Sequence, residues 1–281
     1  METTGRDAVK NADASMTIVK DLLVRFLRDE TSAAGFSKGV LGLSGGVDSA
    51  VTAALTAEAL GKENTLGVIL PYRTSNPESV EHATIVAAQL GIRTETVDIS
   101  PMVDAYCEAN GLSDAIRRGN VMARMRMIVL YDRSARDKAL VIGTSNKSEI
   151  LLGYGTLHGD LASAINPLGD LYKTQVWHLA GLLKIPDAVV SKAPSADLWA
   201  GQTDEAELGF SYRDVDALLY AMVDQRRTDG ELTAMGFDEA FVGKVRRLMR
   251  ENQFKRRPTV IAKVSHRTVN VDFRYVRDWG K

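Results

Sequence analysis

Leu41-Gly42-Leu43-Ser44-Gly45-Gly46-Val47-Asp48-Ser49-Ala50 joins two runs of opposite character. Lys38 to Leu43 is short and β-prone, while Val47 to Leu60 is rich in alanine and leucine and stops at Gly61. A strand running into a glycine turn that opens a helix is the first half of a strand–helix–strand unit, and the pattern repeats outward from it. Leu66 to Leu70 is expected as a second buried strand, Pro77 to Leu90 as a second helix and Thr94 to Ile99 as a third strand. A long helical stretch from about Ser113 to Asp137 then leads to a fourth strand, Ala139 to Gly143. Such alternation predicts an α/β fold: a doubly wound, mostly parallel sheet with right-handed crossovers and helices on both faces. Ligands on such sheets bind beyond the carboxyl ends of the strands. Ser44 to Ser49 and Thr144 to Glu149 both fall there.

On the N-terminal side, Met16, Val19, Leu22, Leu23, Phe26 and Leu27 recur at helical spacing, predicting an amphipathic helix that closes before Gly35. Beyond Pro167 the pattern is mainly helical, over Thr174 to Lys184, Tyr212 to Arg227 and Phe237 to Asn252. Ala193 to Phe210 has weak periodicity and several turn formers, so it reads as a mobile loop over the site. The tail from Lys255 to Lys281 is basic with scattered β-formers and suggests no particular element. The expected organisation is one domain over 1–281. It has an N-terminal helix (15–34), an α/β core (38–192), a lid loop (193–211) and a helical C-terminal part (212–281).

The bulk properties bound the function. The 281 residues are 45% hydrophobic and 25% charged, with a net charge of -1, an ordinary globular balance that calls for no polyanionic partner. A general nucleic-acid binder is therefore not expected. No uninterrupted apolar stretch is long enough to span a bilayer, and Met1 to Asp13 lacks the apolar core of a secretory signal. A single cysteine, Cys107, excludes an internal disulfide and suits a reducing cytoplasm. A cytoplasmic protein without nucleic-acid or membrane partners is expected.

The glycine turn also carries chemistry. Backbone N–H groups at the helix start, with the hydroxyls of Ser44 and Ser49, form a concave donor cluster for a phosphate. Gly45 and Gly46 let the backbone approach an anion without a Cβ. Asp48 is the telling residue, because a carboxylate beside a phosphate is repulsive unless a cation lies between them. Mg²⁺ prefers carboxylate and phosphate oxygens together. No Gly-Lys-Ser/Thr closes the loop, so it is not a Walker A motif.

The string instead resembles the pyrophosphate loop, Ser-Gly-Gly-X-Asp-Ser, of the N-type ATP pyrophosphatases, which share a Rossmann-like, adenine nucleotide alpha hydrolase-like fold. That resemblance implies attack of a substrate atom on the α-phosphorus of ATP, release of pyrophosphate and formation of an adenylate. Further strings narrow the substrate. Gly119-Asn120-Val121-Met122-Ala123-Arg124-Met125-Arg126-Met127 is followed by Gly143-Thr144-Ser145-Asn146-Lys147-Ser148-Glu149 and then by Gly153-Tyr154-Gly155-Thr156-Leu157-His158-Gly159-Asp160. Lys192 to Leu198 and Gly201 to Glu205 complete the set. In this order and spacing they resemble the NAD synthetases from about Leu41 to Pro258.

The resemblance implies an acid–ammonia ligase with ATP, deamido-NAD and ammonia as substrates, Mg²⁺ as cofactor and a homodimeric assembly. By motif position, Gly42, Leu43, Ser44, Gly45, Gly46, Val47, Asp48, Ser49, Thr144, Lys173 and Ser195 would contact ATP. Asp48 and Glu149 would hold Mg²⁺, and these two with Lys173 would carry catalysis. Arg124, Leu157, Asp160 and Lys255 would lie against deamido-NAD. Three positions depart from many bacterial members: Leu157 replaces a lysine, Ala164 an aspartate, and Phe254 the histidine before the lysine at 255. The departures resemble the archaeal-type and glutamine-dependent branches and concern the nicotinate half of the site.

Cys107 stands without a sharp nucleophile turn and reads as a small buried hydrophobe. His82, His158, His178 and His266 show no metal spacing. Free ammonia, or ammonia delivered by a separate protein, is the expected nitrogen source. Met122, Met125, Met127, Ile128 and Leu130 put apolar groups on more than one helix face, so that helix can be buried within one chain or shared with a second copy. Two rivals remain. One is another pyrophosphatase-loop ligase of the GMP synthetase type, and the other is a non-catalytic nucleotide sensor, which would have little use for both Asp48 and Glu149.

Overall fold

The computed structural model describes residues 16–199, 201–257 and 259–269. The reading of Met1 to Asp13, and that of the tail at 258 and from 270 onward, fall outside the described residues.

The chain opens with α1 (Met16–Ala33) and enters β1 (Gly39–Gly42), then α2 (Val47–Leu60), β2 (Thr65–Ile69), α3 (Pro77–Leu90) and β3 (Arg93–Thr96). It continues through α4 (Ser100–Ala109) and α5 (Ala115–Asp137) to β4 (Leu140–Val141). The four strands are parallel in the order β3-β2-β1-β4. Winding thus proceeds one way from β1 to β3 and then returns to the opposite side for β4. The strand order reverses between β1 and β4, and their carboxyl ends flank the crevice where such sheets bind ligands.

Side-chain alternation sorts the sheet into two faces. Leu41, Leu43, Ile69 and Ile142 pack with α1, α2, α3 and α7 (Lys173–Leu182). Val40, Leu66, Val68 and Leu70 face the other way, onto α4 and α5. In α2 the Ala-rich sequence lets the helix lie nearly flush against its neighbours, with Ala50, Val51, Ala53 and Leu55 fully buried.

Three strands are shorter than expected, β1 by one residue at each end, β3 at its carboxyl end and β4 at both ends. Past β3 the chain still pairs with its neighbour, Val97 N–H to the Ile69 carbonyl and Ile99 N–H to that of Pro71, but in irregular geometry. At β4 the Gly143 N–H turns to the Ile165 carbonyl at 2.7 Å and leaves β1. Helix α4 was not foreseen; the Asp98 carboxylate starts it by accepting from the Ser100 N–H and hydroxyl. Cys107 lies buried in α4, as a small apolar group would.

Short helices build the rest: α6 (Lys147–Leu152), α7, α8 (Asp187–Val190), α9 (Asp204–Leu208), α10 (Tyr212–Leu219), α11 (Asp229–Ala234) and α12 (Glu239–Glu251). Leu152, Tyr172, Tyr212, Leu218 and Val245 form a third apolar cluster that joins α6 to α10 and α12. The helix expected over Tyr212 to Arg227 widens into a π-turn over Tyr220–Asp224. The Asp224 carboxylate there accepts from Lys147 Nζ at 3.0 Å and from the Tyr172 hydroxyl. The segment read as a loop contains α9, which Thr203 caps by accepting from the Ala206 N–H. A five-residue helix is too short to show a period. Among the described residues no helix is long and apolar enough to cross a membrane.

Candidate active site

A cavity of about 460 Å³ opens at the carboxyl ends of β1 and β4. Its floor is the glycine turn. Gly45 adopts φ +76°, and a Cβ there would collide with the Ser79 carbonyl. Inside the turn the Ser44 and Ser49 hydroxyls lie 3.0 Å apart, Ser49 Oγ accepts from the Ser44 N–H and the Ser44 hydroxyl from the Gly46 N–H. Gly46 caps α2 without a side-chain partner, so the positive end of that helix faces the cavity.

Three ionisable groups meet on the wall. Asp48 comes from the first turn of α2, Glu149 from that of α6 and Lys173 from that of α7. Lys173 Nζ pairs with Asp48 Oδ2 and lies 3.8 Å from Glu149 Oε1. Asn146 ties the carboxylates together. Its amide donates to Asp48 Oδ1 at 3.0 Å, its Oδ1 accepts the Glu149 N–H, and Glu149 Oε2 accepts the Asn146 N–H in return. Glu149 is therefore both a capping-box residue and a wall residue of the cavity.

Burial and the adjacent Asp48 charge hold the Glu149 carboxyl well above the usual carboxylate range. Burial alone would lower Lys173, but Asp48 and Glu149 raise it overall. Its ammonium also sits 5.3 Å from the Tyr212 ring centre. A third carboxyl, Asp204 of α9, is buried and raised by that burial despite Lys173; it accepts from Tyr154 at 3.2 Å and Tyr212 at 3.1 Å. One ammonium faces several carboxyls here, so a cation bound beside Asp48 and Glu149 would relieve the repulsion that adds to burial in raising Glu149. Among the described residues no three His, Cys, Asp or Glu side chains converge into a metal cage. Such a donor set fits a hard divalent cation that takes its remaining oxygens from a phosphate.

The segment from Lys192 to Leu198 roofs the cavity. Asp197, in the left-handed region at φ +51°, accepts from the Asn76 N–H and from the Ser79 hydroxyl, each at 3.1 Å. Lys192 Nζ donates to the Ser79 hydroxyl at 2.7 Å. The roof is thus fastened to the start of α3.

Of the residues expected from sequence, Gly42, Leu43, Ser44, Gly46, Val47, Asp48, Ser49, Thr144, Glu149, Lys173 and Ser195 line this one cavity. Asp160 and Lys255 line it as well. Asp160 accepts the Thr156 N–H, while Lys255 Nζ donates to the carbonyls of Gly153 and Gly155 at 2.7 and 2.9 Å. Gly45 acts from behind the lining. Arg124 and Leu157 are not brought in. Arg124 is exposed on α5, where its Nε donates to the Leu157 carbonyl at 3.3 Å. Asn146, Tyr154, Asp204, Tyr212 and Arg126 were missed. Arg126 lines the cavity and donates to the Leu70 carbonyl at 3.1 Å. The Asn-X-X-Glu of a capping box was a readable signal for Asn146; the others depend on elements far apart in sequence.

A parallel sheet with a phosphate turn at its reversal point, two carboxylates and a lysine beside it, defines an ATP-using enzyme of the pyrophosphatase-loop class. A family model for NAD synthase matches residues 19–259. The chain belongs to the NAD synthase family. The NH₃-dependent NAD⁺ synthetase of Trichlorobacter lovleyi is 58% identical over 264 residues, covering 94% of this chain and 97% of that one. Among solved structures, the NMN synthetase of Francisella tularensis is 32% identical over 89% of this chain and 100% of its own, with a TM-score of 0.80. The NH₃-dependent NAD synthetase of Campylobacter jejuni is 34% identical over 88% and 99%, with a TM-score of 0.76.

Proposed function

We propose that this chain amidates deamido-NAD with free ammonia, using ATP to activate the nicotinate carboxylate. The observation that carries the reading is the Asp48–Lys173–Glu149 cluster on the rim of the glycine turn, in a chain of the NAD synthase family. A free carboxylate resists ammonia because oxide and hydroxide leave poorly. In the first step a nicotinate oxygen bonds to the α-phosphorus, the bond to the bridging oxygen of pyrophosphate breaks, and an acyl-adenylate forms. In the second, the ammonia nitrogen bonds to the acyl carbon, the bond to the AMP oxygen breaks and a proton is released, leaving the amide.

The chain supplies positioning and charge. The turn and the start of α2 hold the phosphates, with Thr144 and Ser195 also lining the cavity. Lys173 neutralises charge as pyrophosphate departs. Asp48 and Glu149 would hold Mg²⁺, whose positive charge would screen the repulsion between these carboxylates and the phosphates. The roof over Lys192 to Leu198 keeps water from the adenylate. Cys107, buried in α4 away from the cavity, offers no nucleophile for glutamine hydrolysis, which supports free ammonia as donor.

Asp160 and Lys255 belong to the deamido-NAD contacts. Arg124 and Leu157 join them when a second copy covers the exposed face of α5, so the working unit is a homodimer. The cytoplasm, where ATP and deamido-NAD occur together, is its place.

The test is an end-point assay with ATP, Mg²⁺ and deamido-NAD, supplied with ammonium or with glutamine. The nicotinate mononucleotide runs in parallel, because of the likeness to an NMN synthetase. Equal NAD, AMP and pyrophosphate with ammonium, and almost none with glutamine or after chelation of the metal, is the expected result. Preference for the mononucleotide would move the acceptor. Pyrophosphate without either amide would leave only adenylation, and silence throughout would favour the sensor.

A further inference from the structure

Asp216 on α10 is fully buried and does not line the cavity. Its carboxylate nevertheless reaches both chain segments that carry the wall of the site. Oδ1 accepts from the Ser148 hydroxyl, and Oδ2 accepts from the Thr174 N–H and the Thr174 hydroxyl, each at 2.8 Å. The Ser148 oxygen accepts in turn from the Lys173 N–H at 3.0 Å. Ser148 is the residue before Glu149, and Thr174 the residue after Lys173. One side chain therefore holds the hydroxyl of the residue before the carboxylate and both the N–H and the hydroxyl of the residue after the ammonium.

The choice of a carboxylate is informative. Burying one is far costlier than burying an apolar group of similar size, and α10 already docks through Val215, Leu218 and Leu219. What the carboxylate adds is direction: its fixed lone pairs set both the separation and the rotation of the two segments. It also lies at the N-terminal turns of α6 and α7 together, where a negative charge is favoured by both helix dipoles. Tyr212, one turn earlier on the same helix, lies with its ring beneath Lys173 Nζ. Helix α10 thus braces the site twice without entering the reaction.

We propose that Asp216 is a positioning residue for this reaction, holding Lys173 and Glu149 at their working separation through Ser148 and Thr174. The proposal rests on the adenylation reading above, which wild-type enzyme tests in the same assay. In Asp216→Asn one acceptor becomes an amide, and the Ser148 hydroxyl loses the oxygen it donates to.

Steady-state kinetics on Asp216→Asn, Ser148→Ala and their double variant decide it, with thermal unfolding measured on each. Asp216→Asn should lower kcat about 10²-fold, the size expected for a misplacement on the order of an ångström. Its KM for ATP and for deamido-NAD should stay within about threefold, since the interactions lost are made in the transition state. Ser148→Ala should lower kcat about tenfold, and adding it to Asp216→Asn should cost little more, because both break one connection. Values of kcat within about twofold of wild type in both single variants, alongside a lower Tm, would reduce Asp216 to a structural group and overturn the proposal. Should Asp216→Asn fail to fold, Ser148→Ala with Thr174→Val removes both hydroxyl donors to Asp216 and leaves only the Thr174 N–H, and an unchanged kcat in that double variant would overturn it equally. Wild type that makes no NAD would instead overturn the reaction and not the brace.

Discussion

At Gly45 a single backbone torsion decides how closely a phosphate can be held. Alanine there would meet both the left-handed torsion and the Ser79 carbonyl, so the turn must open to admit it. Such strain costs about 1–3 kcal/mol. Gly45→Ala should therefore raise the KM for ATP at least about tenfold, while circular dichroism shows the helices intact; steady-state titration of ATP reads this. An unchanged KM would mean that the turn does not carry the phosphates. Lys173 makes the complementary case for charge. Lys173→Met leaves Asp48 and Glu149 facing each other without an ammonium, and pyrophosphate release at saturating ATP should fall about 10³-fold, as when a preorganised donor is removed. Rapid-quench measurement of pyrophosphate checks it, and near-normal release would take Lys173 out of the chemistry. At this scale the sequence was most informative where chemistry is local. Ser44, Asp48 and Ser49 lie within one turn of chain, and their meaning can be read there. Tyr154, Asp204 and Tyr212 become neighbours only because α9 and α10 fold back over α6, which no local pattern announces.

Among the elements, the roof shows how a few hydrogen bonds can replace apolar packing. Asp197 holds it to the start of α3 through the Asn76 N–H and the Ser79 hydroxyl. Asp197→Asn keeps the left-handed torsion accessible but removes the charge and one acceptor. The roof should then open more often, and water should reach the adenylate. The expected sign is pyrophosphate and AMP exceeding NAD, read from the ratio of the three products at limiting ammonium; a ratio of one would show that the latch does not guard the intermediate. This element was legible only in part. Turn formers marked Ala193 to Phe210 as irregular, yet α9 inside it is a single capped turn held by the burial of Leu208 and by the Tyr154 and Tyr212 hydroxyls bonded to Asp204. The core behaved differently. α2 and α3 fall at the ends set by Gly61, Pro77 and Gly91, because glycine and proline act through local torsions. Strand ends shifted at β3 and β4, where pairing with distant partners, and not composition, decides where the ladder stops. The π-turn after α10 is likewise set from outside, by Lys147 and Tyr172 drawing in Asp224.

Considered as a whole molecule, the chain leaves Ile116, Ile128 and Tyr131 of α5 exposed, with Arg124 on the same side of the helix. An apolar stripe beside a cation that no wall of the single-chain cavity uses suits a two-fold contact between copies. Ile128→Glu should shift sedimentation toward the monomer and weaken deamido-NAD while ATP binding persists. A wild-type protein that sediments as a monomer at working concentration would sink the dimer. The brace from α10 has a consequence of another kind. Synthesis delivers the phosphate turn early and Asp216 late, after most of the sheet has left the ribosome. A nascent chain can therefore fold a nucleotide-binding sheet well before Lys173 and Glu149 are locked in register. The part of the chain that would hold the nucleotide is thus made first, and the side chain that aligns the groups beside it is made later.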